Sequence, residues 1–177
     1  MERVPFQVTA GGAGYQQMGA LPVSILLDNV RSLYNVGAFF RTADGAGATR
    51  LLLAGITGRP PKRAISKTAL GAEETMAWEH TPDPLPLLRR LREHGTELAA
   101  VETSLRAVDL FDWQPRFPVC VIFGHEVEGI RPEASEACDT HVRIPMLGAK
   151  HSLNVATAGG VVLYELLRKY RALGRHG

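Results

Sequence analysis

HVRIPMLGAKHSLNVATAGGVVLYELL, residues 141–167, is the stretch on which the reading of this chain turns. A short apolar strand, His141 to Pro145, leads through a glycine-bearing loop and a polar Ser152-Leu153-Asn154 triplet into a long apolar helix. Exposed amides and hydrogen-bonding side chains therefore gather at a helix start, which is a common place for a ligand.

Outward from it, the same alternation of strand and helix recurs. Val23 to Asp28 (VSILLD), Thr49 to Ala54 (TRLLLA), Glu97 to Val101 and Val119 to Phe123 are short apolar runs of strand length, the first nearly continuous and readable as buried on both faces. Helical patterns cover Asn35 to Gly45, Ile65 to Glu74, Pro84 to His94 and Pro132 to Ala137, and a last helix is predicted from Ser152 to about Tyr170. Pro84 near a helix start and Gly95 just past its end fit the usual terminal asymmetry. The connections are too long for hairpins, so the expected fold class is α/β: a mostly parallel sheet with helices on both faces. Ligands in such sheets bind at the carboxyl ends of the strands.

The 177 residues, 45% hydrophobic and 21% charged, suffice for one well-buried domain. Residues 1–21, with GGAG and few periodic apolar positions, read as an irregular N-terminal arm before a domain spanning 22–177. The arm's glycines precede the first strand, and neither GxGxxG nor a GxxxxGK loop occurs, so a dinucleotide or P-loop reading fails. No run reaches the ~20 apolar residues of a membrane helix and no charged-then-apolar leader is present, so a cytoplasmic protein with no membrane partner is expected. Cys120 and Cys138 lie outside any CxxC pair and read as free thiols. A net charge of +2 and a pI of 8.7 permit a phosphate-rich partner without requiring one. Basic residues do cluster, as Arg59, Lys62, Arg63 and Lys67; as Arg89, Arg90 and Arg92; and as Arg168, Lys169, Arg171 and Arg175. The last two clusters read first as solvated helix faces.

Three groups of chemistry-bearing residues stand out. In the first, Arg41 shares a helix face with Gly37, Ala38 and Asp44 and leans over Gly37 and Ala38, where little side-chain bulk stands. An arginine fork beside such a space suits a phosphate or carboxylate; the alternative is an Arg41–Asp44 surface pair with Asn35 as helix N-cap. The second group, residues 124–130, presents Glu126 at a strand end, with Gly124 open to a close-approaching ligand. Its HEVEG lacks the second histidine of HExxH, so no metal site is expected; the alternative is a turn whose acidic residues favour a helix start. The third comprises Ser152 and Asn154, for which capping of the final helix is the competing explanation. Gly159 and Gly160 inside that helix imply close packing against another backbone, a second subunit being one candidate.

Taken together, NxGxxxR at 35–41, FGxExxGI at 123–130 and IPMxGxxxSLNVxxAxGxxLYE at 144–165 resemble, in order and wording, the three signature motifs of the SpoU/TrmH RNA methyltransferases of the SPOUT superfamily. The similarity extends to LLDNVRSLYNVG and SKTALGAEE and spans Leu21 to Tyr170. It implies an S-adenosylmethionine-dependent enzyme that methylates a ribose 2'-hydroxyl of tRNA or rRNA. The implied structure is a SPOUT-type α/β fold with a C-terminal trefoil knot, working as a homodimer. The resemblance assigns Asn35, Arg41, Glu126, Ser152 and Asn154 to the catalytic pocket, with Asn35 expected to act across the subunit boundary. Val101, Glu102, Thr103, Gly124, Ile144 and Leu153 are implied around the methyl donor, largely through main-chain contacts. Because a guanidinium stays protonated, Arg41 is expected to clamp a phosphate beside the target ribose and polarise its hydroxyl. Tyr34 departs from the pattern, standing where many relatives have proline. With no appended RNA-binding domain in the sequence, recognition is expected from the dimer surface, the arm and the basic clusters, which favours tRNA over rRNA. The competing reading is a non-catalytic RNA-binding relative, against which the five intact pocket residues count.

Overall fold

The computed structural model describes residues 19–173, so the expected N-terminal arm lies almost wholly outside the described residues, as does Arg175. The strands are β1 (Leu21–Asp28), β2 (Ala48–Ala54), β3 (Trp78–Thr81), β4 (Glu97–Val101), β5 (Val108–Asp109), β6 (Val119–Phe123) and β7 (Thr140–Arg143). The helices are α1 (Leu33–Ala46), α2 (Arg63–Ala69), α3 (Ala72–Thr75), α4 (Leu85–Glu93), α5 (Pro132–Glu136) and α6 (Val155–Leu173). The strands form one seven-stranded sheet in the order β3-β2-β1-β6-β4-β7-β5, and every pairing is parallel.

Two cores explain the apolar runs. Val23, Ile25 and Leu27 of β1 join Leu51 and Leu53 of β2 and Val121 and Phe123 of β6 in a core shared with α1 and α6. The intervening residues, Leu26, Leu52 and Ile122, face a second core with Leu87, Leu88 and Leu91 of α4. Side chains alternate along a strand, so a strand covered on both faces needs apolar residues in both phases.

The structure adds and corrects elements. β3 and β5 escape sequence reading because they are short edge strands in which no residue is fully buried. The single helix expected over Ile65 to Glu74 is two, α2 and α3, broken where Leu70 and Gly71 adopt positive φ of 53° and 94°. The final helix begins at Val155, three residues later than expected, which leaves Ser152, Leu153 and Asn154 in the approach loop.

Glycines set how closely helices meet α1. A Cβ on Gly37 would lie 2.2 Å from the Ile65 carbonyl oxygen, so α2 occupies the space beside Gly37 that the sequence leaves open for a ligand. A Cβ on Gly159 would lie 2.3 Å from Phe39 Cε1, so the close approach of α6 is made to α1 of the same chain. Gly160 makes no such approach within its own chain, where the nearest neighbour of a Cβ would be Thr42 Cγ2 at 3.9 Å. Lys169, expected on a solvated face, is buried instead: its Nζ donates to the carbonyls of Leu110 (2.8 Å), Phe111 (3.2 Å) and Trp113. Among the described residues, no helix is long and apolar enough to cross a membrane.

Candidate active site

A cavity of about 380 Å³ opens at the carboxyl ends of β4, β6 and β7, three neighbouring strands. That is within the range of small-molecule sites, roughly 300–1,000 Å³. β4 contributes Val101 and runs on into Glu102 and Thr103; Gly124 and Ile130 follow β6; Ile144 and Met146 follow β7; and the approach to α6 adds Ser152, Leu153 and Asn154. All six residues expected around the methyl donor therefore line one cavity, together with Glu126, Ser152 and Asn154 from the expected catalytic set.

The loop after β6 is folded back on itself. His125 and Gly129 exchange two backbone hydrogen bonds of 2.9 Å, Gly129 takes a φ of 76°, and His125 Nδ1 accepts the N–H groups of Val127 and Glu128 at 3.1 Å. A Cβ on Gly124 would lie 2.2 Å from both Gly129 C and Ile130 N. The glycine is thus required by the chain's own returning backbone, where the sequence suggests room for a ligand.

That loop delivers Glu126 to the start of α1. Its Oε1 accepts the Ser32 N–H and Asn35 Nδ2–H, both at 3.1 Å, and its Oε2 accepts the Arg31 N–H at 3.2 Å. Burial pushes the carboxyl up, but the N–H groups of Glu126 itself, Ser32 and Arg31, with the Asn35 amide, outweigh it and hold the pKa below the ordinary value. Asn35 is free for this contact because Ser32 is the N-cap of α1, its hydroxyl accepting the Asn35 N–H at 3.3 Å.

Asn154 completes the line. Its Oδ1 accepts from the N–H groups of Ala156 (2.9 Å) and Thr157 (3.2 Å), capping α6, while its Nδ2 donates to Asn35 Oδ1 at 3.3 Å. Asn154 thus caps α6 with one end of its amide and meets Asn35 with the other, and it lines the cavity. Residues 91 and 119 positions apart are joined within one chain. Asn35 thus makes both of these contacts within its own chain.

Arg41 does not join this set. It is exposed, makes no pair with Asp44, and lines a separate groove with Ala38, Thr42, Gly45, Lys67, Thr68 and Tyr164. Six residues along α1 turn it about 240° from Asn35, so the two face different ways.

Two arrangements escape sequence reading. Asp28, fully buried at the end of β1, accepts from Arg131 Nε at 2.9 Å and from the Arg131 N–H at 3.1 Å, with Nη2 at 2.6 Å, fastening the end of the β6 loop to β1. The other is Glu102, whose Oε1 meets Ser135 and the buried His141. The available signals are an acidic residue closing the apolar VSILLD run and a histidine opening an apolar strand. Cys120 and Cys138 are free, their thiols pushed by burial up to about 11 and about 12.

Comparison with known proteins gives a consistent result. Residues 22–164 match the model of the SpoU rRNA Methylase family. The 23S rRNA (guanosine-2'-O-)-methyltransferase RlmB of Pseudomonas syringae pv. tomato is 36% identical over 152 residues, covering 85% of this chain and 60% of that protein. The RlmB of Vibrio vulnificus is 33% identical over 151 residues, again covering 85% and 60%. The chain thus spans about 60% of the length of these curated relatives. Among solved structures, the TrmH/SpoU tRNA modifying enzyme of A. aeolicus superposes with a TM-score of 0.80 at 28% identity, covering 88% of this chain and 79% of that one. The SpoU methyltransferase AviRb of Streptomyces viridochromogenes, in complex with the cofactor AdoMet, gives 0.76 at 28%, covering 83% and 57%.

Proposed function

The chain belongs to the SpoU rRNA methylase family, and on that premise we propose that it transfers a methyl group from S-adenosylmethionine to a ribose 2'-hydroxyl of RNA. The observation that carries this reading is the single cavity at the carboxyl ends of β4, β6 and β7, with Glu126, Asn35 and Asn154 tied together beside it. Its walls fit the cofactor: Val101, Ile130, Ile144 and Leu153 offer apolar surface to an adenine ring, while Glu102 and Ser152 supply polar contacts. When bound, S-adenosylmethionine supplies an electrophilic methyl group on a positively charged sulfur.

The chain's own residues supply position. Glu126 stays ionised and is a weak base, so its part is to hold Asn35 and the start of α1 in place. Ser152 lines the cavity, where its hydroxyl would meet the target ribose. Arg41 fits the role of phosphate clamp only if it reaches the cavity of another copy of the chain, because in its own chain it lines a different groove. That role calls for a homodimer in which Arg41 crosses the boundary. The C-terminal trefoil knot and a cytoplasmic location belong to the same reading.

Charge supports RNA as the partner. Among the described residues, salt bridges engage Arg90, Arg92, Arg168 and Lys169 but none of Arg59, Lys62, Arg63 or Lys67, which stand on and before α2. Cations without acidic neighbours are the ones available to phosphates. The relatives named for 23S rRNA shift the preferred substrate from tRNA to rRNA.

Calorimetry with S-adenosylhomocysteine, followed by methyl transfer from labelled S-adenosylmethionine to unmodified rRNA and tRNA with mapping of ribose methylation, tests the proposal. Absence of cofactor binding would sink it. Binding of cofactor and RNA without transfer would favour the non-catalytic relative.

A further inference from the structure

Glu102, just past the carboxyl end of β4, stands on the cavity wall with its side chain 23% exposed. Behind it lies a small polar cluster. Ser135 Oγ donates to Glu102 Oε1 at 2.9 Å, and His141 Nδ1 lies 2.8 Å from the same oxygen. Ser135 and His141 are only 9% and 7% exposed. A carboxylate only accepts, so His141 Nδ1 donates to Glu102; Nε2 lies 3.5 Å from Arg106 Nη2. Ser104 Oγ also lies 3.3 Å from Nδ1.

Burying a histidine and a serine costs free energy unless their polar atoms are satisfied. Here both converge on one oxygen of one partly exposed carboxylate. Among the described residues no donor reaches Oε2, so the carboxylate has one saturated oxygen and one available to a ligand. An acidic residue beyond a strand's carboxyl end is suited to ribose hydroxyls, as in dinucleotide-binding sheets.

We propose that Glu102 binds the ribose hydroxyls of the methyl donor's adenosine, and that His141 and Ser135 are positioning residues that hold its carboxylate for that contact. This rests on the reading that the cavity takes S-adenosylmethionine. A free 2',3'-diol belongs to the cofactor, whereas an internal RNA ribose has its 3'-oxygen in a phosphodiester, so an assay without RNA separates the two sources.

The experiment is calorimetry of the full chain with S-adenosylhomocysteine and with its 2'-deoxy and 3'-deoxy counterparts. The wild type should favour the ribose form by about tenfold or more, the scale of one hydrogen bond to a charged acceptor. Glu102→Ala should lose that preference. His141→Phe should shrink it, and His141→Asn, which can keep a donor near the Nδ1 position, should restore most of it, with thermal melts reporting folding. A wild type that binds all three ligands equally overturns the inference and leaves the cofactor reading standing, and this arm needs no variant to fold. A preference that persists in Glu102→Ala also overturns it. If His141→Phe lowers the melting temperature without touching the preference, the positioning role of His141 is wrong. Failure of the wild type to bind any of the three removes the cofactor reading and this inference together.

Discussion

Replacing Glu126 with glutamine should loosen the junction between the β6 loop and α1 in a pH-dependent way. The carboxylate takes three N–H donors, from Arg31, Ser32 and Asn35, at 3.1–3.2 Å. A glutamine has one acceptor oxygen and turns an NH2 group towards the remaining donors, so at least one N–H loses its partner. Hydrogen bonds to a charged group contribute about 1.5–3 kcal/mol each, but Glu126 is exposed and screened by solvent, which reduces the expected loss to about 1–2 kcal/mol in total. For a domain of this size that lowers the melting temperature by about 2–8 °C. The sign with pH follows from the depressed pKa. The wild-type contribution is fully present above the ordinary glutamate value of 4.5 and is lost as pH falls through the lower folded value. Denaturant unfolding of both proteins, from neutral pH down to about pH 3.5, should therefore show a gap that closes towards the acid end. A gap that stays constant with pH, or none at neutral pH, would refute the argument.

Gly124→Ala should cost about 1–3 kcal/mol and weaken S-adenosylhomocysteine binding, because the added Cβ meets the Gly129–Ile130 backbone, which cannot swing aside as a side chain would; melting and calorimetry report the two effects. The adjacent glycines of α6 should respond oppositely in thermal melts: Gly159→Ala destabilises by about 1–3 kcal/mol against Phe39, whereas Gly160→Ala gains up to about 1 kcal/mol from helix propensity. Arg41→Lys should lower methyl transfer to RNA about tenfold or more through loss of the planar fork, with a much smaller effect on S-adenosylhomocysteine affinity, since the fork is proposed to hold an RNA phosphate and not the cofactor. Wild-type turnover together with wild-type RNA affinity in that variant would exclude the clamp.

Much of the fold was legible in the residues alone, because hydrophobic periodicity reports burial and burial is a local property. The apolar runs of β1, β2, β4, β6 and β7 announced strands of a parallel sheet, and the three motifs announced the family. β3 and β5 were not legible, since an edge strand needs no second apolar phase. Nor was the break at Leu70 and Gly71, which a helical pattern does not forbid.

Within the site, the sequence by itself determined which residue types stand at strand ends, and hence which residues line the cavity. Only the tertiary structure decided their partners. Whether Asn35 caps α1 or meets Glu126 depends on Ser32 taking the cap and on a loop 91 residues away arriving at the same helix start. Whether Arg41 shares the cavity depends on the turn of α1 about its axis, and whether Gly37 and Gly159 face ligand, partner or their own chain depends on where α2 and α6 come to rest. Stretch 141–167 shows the division most clearly: its strand and helix are written in its periodicity, but Asn154 reaches Asn35 only because the sheet order and the packing of α6 on α1 bring remote segments within hydrogen-bonding distance.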